Sequence, residues 1–149
     1  MTAPAVQLGD RLADGTTVYR AFSLDGHRRV KATPPHSVRR RAYYRSKDHE
    51  DGLSVGLTPE AAVSRLQINF GYCSLPVEPV HKLPYNLCVH VDLAIKGHAL
   101  ICRVPPIDGN DEEREIAEAI AGELARLSRV ETCEPYPPAS IEESPLPTI

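Results

Sequence analysis

The chain has 149 residues, of which 42% are hydrophobic and 25% are charged, and its formal net charge is −3. This length suits one ordinary domain, and the composition excludes a disordered chain. No apolar run approaches the roughly 18 residues that cross a bilayer. The first residues, MTAP, lack the basic and apolar regions of a secretory signal. We therefore expect a cytoplasmic protein with no membrane partner.

The four cysteines stand at positions 73, 88, 102 and 133, and no two of them form a C-x-x-C pair. A C-x-x-C pair would favour a zinc site or redox chemistry, and the sequence has none. We expect buried, reduced thiols and no bound metal.

Charge is distributed unevenly along the chain. Residues 20–47 hold nine basic side chains and one acid, whereas residues 107–149 hold eleven acids and three arginines. One surface should therefore attract anions and another should repel them.

We expect residues 1–10 to be a flexible N-terminus. Residues 17–22 are rich in strand formers and follow the turn signal Asp14-Gly15, which predicts the first strand. A short extended segment is expected around residues 42–44, and a polar loop at 47–52.

A helix is predicted over residues 59–66. Thr58 is a suitable N-cap, Pro59 fits the first helical position, and Glu60 suits the positive end of the helix dipole. A further strand is predicted over residues 72–77.

Residues 85–104 alternate between apolar and polar side chains, which predicts two half-buried strands. If they pair as a hairpin about Ala94, one face is apolar and faces the core: Leu87, Val89, Val91, Ala99 and Ile101. The opposite face carries four side chains that bind metals or protons: Cys88, His90, His98 and Cys102.

The last predicted helix spans residues 111–128, with Asn110 as N-cap and acids in the first turn. Its apolar stripe is expected to face the core and consists of Ile116, Ile120, Leu124 and Leu127. The chain is thus predicted to be a single α+β domain over residues 11–131, with a predominantly antiparallel sheet, one short helix and one long helix. Residues 132–149 are acidic and proline-rich, and predict a disordered tail.

Arg20 and Ser54 are the first candidate site. A strand arginine beside a strand-to-helix turn can bind a phosphate or carboxylate, because guanidinium binds such groups bidentately. The alternative is an exposed strand arginine and an incidental serine.

The sequences VYR at 18–20, DGLSV at 51–55 and TPEAA at 58–62 resemble small uncharacterised bacterial proteins of cyanobacterial type. More remotely, their order resembles ADP-ribosyltransferase folds, including the NAD-consuming RES domains. That resemblance implies Arg20 as a nucleotide phosphate anchor, with Tyr43, Tyr44 or Ser54 in a nicotinamide pocket. It offers no clear catalytic glutamate, Glu78 being the nearest candidate, so it implies NAD binding more readily than NAD cleavage.

The polar hairpin face is the second candidate. Thiolates and imidazoles bind zinc, although the spacing matches no familiar zinc site and ordinary packing is the alternative. His90 or His98 is also a candidate general acid or base, or a ligand-binding residue.

The third candidate is a basic face for an anionic partner, formed by Arg39, Arg40, Arg41 and Arg45 beside two tyrosines. Its alternative is a solvated surface. The acidic net charge and the lack of a nucleic-acid-binding signature disfavour nucleic acid as the partner.

Two functions follow from these patterns. One is a small binding module that uses its basic face for an anionic partner or its tail for a protein. The other is an NAD-handling domain, with NAD as ligand or substrate rather than as a resident cofactor. Neither a serine-nucleophile motif nor a P-loop is expected, and the patterns do not decide whether the protein is an enzyme.

Overall fold

The computed structural model describes residues 8–22, 29–31, 36–45, 52–64, 66 and 68–136. Its centre is a seven-stranded sheet whose neighbouring strands all run antiparallel. In chain order the strands are β1 (Leu8–Arg11), β2 (Thr17–Ala21), β3 (Val30–Lys31), β4 (Ser37–Val38), β5 (Gly52–Gly56), β6 (Tyr72–Pro76), β7 (Cys88–Asp92), β8 (His98–Cys102) and β9 (Arg129–Thr132). The mixed helix and strand content and the antiparallel sheet confirm the predicted α+β class.

The strands of the large sheet lie in the order β1-β7-β8-β5-β2-β6-β9, while β3 and β4 form a separate pair. The strands nearest the two ends of the described chain therefore form the two edges of the sheet.

The helices are α1 (Pro59–Val63), α2 (Val77–His81) and α3 (Asp111–Leu127), with a 3₁₀ helix at Arg40–Tyr43. The long and short helices were predicted, and α2 is an addition. The extended segment expected around residues 42–44 is wrong, because that stretch forms the end of the 3₁₀ helix and the residue after it.

Helix α1 begins as predicted. Thr58 is its N-cap, and the Thr58 side chain accepts a hydrogen bond from the amide of Ala61 at 3.0 Å. The helix ends at Val63 rather than at residue 66, where Ser64 Oγ donates to the carbonyl of Ala61 at 2.9 Å. A serine that bonds the preceding turn in this way competes with the helical backbone ladder.

Helix α3 begins with a capping box. Asn110 accepts from the amide of Glu113 at 2.8 Å, and Glu113 accepts from the amide of Asn110 at 2.9 Å. The buried stripe is rotated from the predicted one, since Ile116 is 38% exposed. Its buried members are the predicted Ile120 and Leu124 together with three alanines that the prediction omitted, Ala117, Ala121 and Ala125.

The main core lies between one face of the sheet, helix α3 and the 3₁₀ helix. It joins strand residues such as Val18, Leu53 and Ile101 to Tyr43 and Leu124. The other face of the sheet is covered in part by α1, where Val63 and Leu100 are buried outside the main core.

The predicted hairpin is present, with its turn centred on Ile95 rather than on Ala94. Strands β7 and β8 pair in the register Cys88↔Cys102, Val89↔Ile101, His90↔Leu100 and Val91↔Ala99. Val89, Ala99 and Ile101 are buried in the main core, as the alternation predicted, whereas Val91 is half-buried.

The described structure extends beyond the predicted domain at both ends. Strand β1 begins at Leu8, inside the segment expected to be flexible, and Tyr136 is held beyond the end of β9. The rest of the expected N-terminus, most of the 47–52 loop and residues 137–149 of the expected tail lie outside the described residues.

In the part of the chain that the structure describes, none of the helices has the length and apolar character needed to span a membrane.

Candidate functional site

A cleft of about 300 Å³ opens where β2 and β5 separate. These two strands share the register pair Tyr19↔Gly56 and then diverge. Residues of both strands, of α1 and of β8 line the cleft. Five of the lining side chains are polar or charged: Tyr19, Arg20, Arg29, Ser54 and His98.

The side chain of Arg20 spans the gap between β2 and β5. It follows Val18 on the core side of β2, and its Nε donates to the carbonyl of Ala42 at 2.9 Å. Its Nη1 donates to the carbonyl of Ser54, and its guanidinium lies 6.0 Å from the centre of the Tyr43 ring. Arg20 thus links the 3₁₀ helix to β5 while its charge lines the cleft.

Ser54 and His98 meet on the opposite face of the sheet. Ser54 pairs with Leu100 on β8, and His98 lies two positions away on the same face. Ser54 Oγ and His98 Nδ1 are hydrogen-bonded at 3.2 Å, and His98 is only 5% exposed. A hydroxyl and an imidazole held together in this way can bind an anion or exchange a proton.

Gly56 allows α1 to pack closely against β5 at this part of the cleft. A Cβ on Gly56 would lie 2.4 Å from the amide nitrogen of Ala62, so only glycine lets the helix approach the strand so closely. Ala62 and Leu66 then supply apolar surface to the cleft beside its polar groups.

Three tyrosines form a ladder that begins at Tyr19 in the cleft wall. The rings of Tyr19 and Tyr72 are 5.9 Å apart, those of Tyr72 and Tyr136 are 5.0 Å apart, and both contacts are edge-to-face. Edge-to-face pairs of this kind stabilise beyond the area they bury. The ladder therefore connects the cleft to the segment that follows β9.

That segment is fastened to α1 by Tyr136. The amide of Tyr136 donates to Asn69 Oδ1 at 2.8 Å, and its hydroxyl donates to Glu60 Oε2 at 2.7 Å. The hydrogen bond to Glu60, with burial next, raises the pKa of Tyr136 to about 12. The same bond lowers the pKa of Glu60.

The predicted tyrosines lie away from the cleft. Tyr43 is fully buried, and its hydroxyl is 2.6 Å from Ser128 Oγ and 3.4 Å from Cys73 Sγ. Burial is the main cause that raises its pKa well above the ordinary value. Tyr44 is half-buried and packs against the core. Neither ring lines the cleft, so the geometry gives them a packing role.

The polar hairpin face is present but its members are dispersed. His90 Nδ1 donates to the carbonyl of Gly9 at 3.1 Å, towards the β1 edge, whereas His98 faces Ser54. Cys88 and Cys102 lie opposite each other further along the hairpin. Within the described residues, no three histidine, cysteine or acidic side chains are grouped to hold a metal ion.

The four arginines of the predicted basic face differ in exposure. Arg39, Arg40 and Arg41 are exposed at the 3₁₀ helix. Arg45 is half-buried, and its Nε donates to the carbonyl of Val104 at 2.7 Å. Glu78, the glutamate nearest to the catalytic role implied by the resemblance, is exposed on α2 and pairs with Lys82 at 2.9 Å.

The expectation that no serine-nucleophile motif occurs is wrong, because residues 52–56 read GLSVG, a G-x-S-x-G spacing. In hydrolases that spacing forms a sharp strand-to-helix turn that exposes the serine. Here all five residues lie within β5, so Ser54 is held on an extended strand. The glycines serve packing instead, since a Cβ on Gly52 would lie 2.3 Å from the carbonyl oxygen of Ile101.

The sequence patterns predicted Ser54 and His98 as members of two different candidate sites. They did not predict Tyr19 or Arg29 as site residues. The missing signal was the pairing of β5 with β8, which joins positions 44 residues apart.

The chain matches no family model, no curated protein and no solved structure.

Proposed function

We propose that the protein is a binding module that holds a small anionic ligand, a phosphate or a carboxylate, in the cleft between β2 and β5. The observation that carries this proposal is the convergence of Tyr19, Arg29, Ser54 and His98 on one cleft. Sites for small molecules typically combine apolar walls with a few polar groups that set orientation.

Charge and donor geometry support an anion rather than a cation. Arg20 and Arg29 both line the cleft, and an arginine remains charged at every physiological pH. Ser54 adds a hydroxyl beside the imidazole of His98, and hydrogen bonds to a charged ligand are stronger than those between neutral groups.

Size restricts the ligand. A cleft of about 300 Å³ lies at the lower end of the range for small-molecule sites. It accommodates a phosphate, a small carboxylate or one part of a dinucleotide. NAD is the alternative ligand, with its pyrophosphate or its nicotinamide in the cleft.

The test is a titration followed by NMR of the backbone amides, with inorganic phosphate, acetate and NAD as separate probes. We expect shifts in β5 and β8, and about tenfold weaker binding in Ser54→Ala, the loss typical of one hydrogen bond to a charged group. Ser74→Ala is the matched control, because Ser74 Oγ donates to Glu131 at 2.7 Å outside the cleft. Equal binding by the two variants, or no shift with any probe, would overturn the proposal.

The same titration decides whether NAD handling replaces simple anion binding. Free nicotinamide that accumulates with wild-type protein, but not with Ser54→Ala, would identify an NAD-consuming enzyme. Shifts with phosphate and no nicotinamide would support the binding module.

A further inference from the structure

Two thiols face each other across the β7–β8 hairpin. Cys88 and Cys102 are direct register partners, and each lies next to a core residue, Val89 or Ile101. Because side chains alternate along a strand, both thiols are on the face away from the main core. Both are reduced, but they are half-buried, so the expectation of buried thiols is wrong for this pair.

The backbone bonds of Val89 define the kind of pair these cysteines form. The amide of Val89 donates to His81 Nε2 at 3.0 Å, and its carbonyl accepts from the amide of Leu12 at 2.8 Å. Both groups of Val89 thus point away from β8, so Val89↔Ile101 is a non-hydrogen-bonded pair. Pair types alternate along an antiparallel ladder, which makes Cys88↔Cys102 a hydrogen-bonded pair.

This geometry permits a disulfide, with some strain. The Cα atoms of a hydrogen-bonded pair are about 5.5 Å apart, within the range of about 4.4–6.8 Å that disulfides span. The Cβ atoms of facing residues are about 4.5–5.5 Å apart, whereas a disulfide brings them to about 3.5–4.5 Å. Closure must therefore draw the two strands together slightly.

The surroundings leave the pair accessible and hold its register. The β5 residue opposite Cys102 is Gly52, which contributes no side chain above the thiols. Beyond the pair, Arg103 Nη1 donates to the carbonyl of Asn86 at 3.1 Å and ties the two strand ends together.

We propose that Cys88 and Cys102 form a reversible disulfide when the protein meets a peroxide. The thiolate of one cysteine attacks hydrogen peroxide, breaks its O–O bond and becomes a sulfenic acid, releasing hydroxide. The second thiol then attacks that sulfur and forms the S–S bond, and the sulfenic oxygen leaves as water. In total, two thiols are oxidised and one peroxide is reduced to two waters.

The other cysteines cannot substitute. Cys73 is fully buried on the core face of β6, and burial raises its pKa, which keeps it protonated and unreactive. Cys133 follows β9, at the far edge of the sheet from β7 and four strands away from β8. A strained disulfide is also readily reduced, so this link is reversible.

The experiment treats the purified chain with hydrogen peroxide, alkylates the remaining thiols and maps the peptides by mass spectrometry. We expect loss of the mass of two hydrogen atoms, one cross-linked peptide joining Cys88 to Cys102, and recovery of both thiols with reduced glutathione. Cys88→Ser and Cys102→Ser should each lose the link and accumulate sulfenic acid at the remaining thiol. Cys133→Ser is the matched control and should form the link as wild type does.

The proposal fails if wild-type protein accumulates sulfenic acid at either cysteine without a link, or if the link joins any other pair. Peptide mapping of the wild-type chain alone decides this, so the test does not depend on whether the serine variants fold. It is also independent of ligand binding in the cleft.

Discussion

At the scale of single residues, glycines set the distance between backbone elements around the cleft. Gly56 lets α1 sit against β5, and Gly71 and Gly97 have the positive φ angles that other residues adopt at a cost. Of these three glycines, Gly56 lines the cleft, and the absence of a side chain there allows the close contact between α1 and β5.

Gly56→Ala should destabilise the fold by about 1–3 kcal/mol, because the added methyl group must displace backbone atoms of α1. Denaturation by urea measures the change in the free energy of unfolding. Gly15→Ala is the control, since a Cβ there meets no atom within 4 Å, and it should change stability by less than about 0.5 kcal/mol. Equal effects of the two substitutions would contradict this account of the packing of α1.

Arg20 shows why residue type alone did not define the site. Arginine on a strand was expected to bind a ligand, and Arg20 does line the cleft, but its side chain lies on the core side of β2 and donates to two backbone carbonyls. The periodicity of β2 places it there, because Val18 on the same face is fully buried. Because side chains alternate along a strand, the apolar Val18 already predicts that Arg20 lies on the core side of β2.

At the scale of secondary-structure elements, the segment after β9 stabilises the position of α1 through Tyr136 and Glu60. This contact has a defined pH range. Its contribution is complete above the ordinary carboxyl pKa of Glu60 and is lost as pH falls through the lowered folded value. On the alkaline side it is complete below the ordinary pKa of Tyr136 and is lost as pH rises through about 12.

Tyr136→Phe should therefore lower the melting temperature near neutral pH, and the difference from wild type should disappear in acid. Thermal unfolding followed by circular dichroism across this pH range tests the prediction. Tyr19→Phe is the control, because it keeps the aromatic ladder and leaves Glu60 untouched. A difference that persists unchanged in acid would show that the hydrogen bond to Glu60 is not its source.

Elements with strong local signals were predicted well. The capped helices and the alternating hairpin carry their patterns within a few residues, and the structure confirms each of them. Edge strands β1 and β9 carry little apolar signal, since β1 has the burial pattern of a largely exposed strand. Their pairing depends on partners far along the chain, as does the contact between Ser54 and His98.

At the scale of the whole molecule, the described parts of the basic and acidic segments meet where the 3₁₀ helix packs against α3. The exposed arginines at the 3₁₀ helix lie beside α3, since Arg40 reaches to within 4 Å of where a Cβ of Gly122 would lie. The basic face therefore lies next to the helix whose first turn carries three acids.

If the basic face binds an anionic polymer, the affinity should depend steeply on salt. Substituting Arg39, Arg40 and Arg41 by glutamine should reduce the slope of log K against log salt by about 2–3 with duplex DNA as the probe. The matched control replaces Arg114 and Arg126, which pair with acids on α3. Binding that is absent at low salt, or a slope equal in both variants, would remove polyanions from the partners of this face.

The order of the strands has a consequence for how the chain folds. In the large sheet, β7 and β8 are joined by a short turn. By contrast, β1 pairs with β7 although most of the described chain separates the two strands in sequence. Hairpins with short turns close in about 1–10 μs, and distant pairings must first offset the entropy of a long loop. We therefore expect the β7–β8 hairpin to nucleate folding and β1 to add late, an order that brings the two facing thiols together before most of the sheet exists.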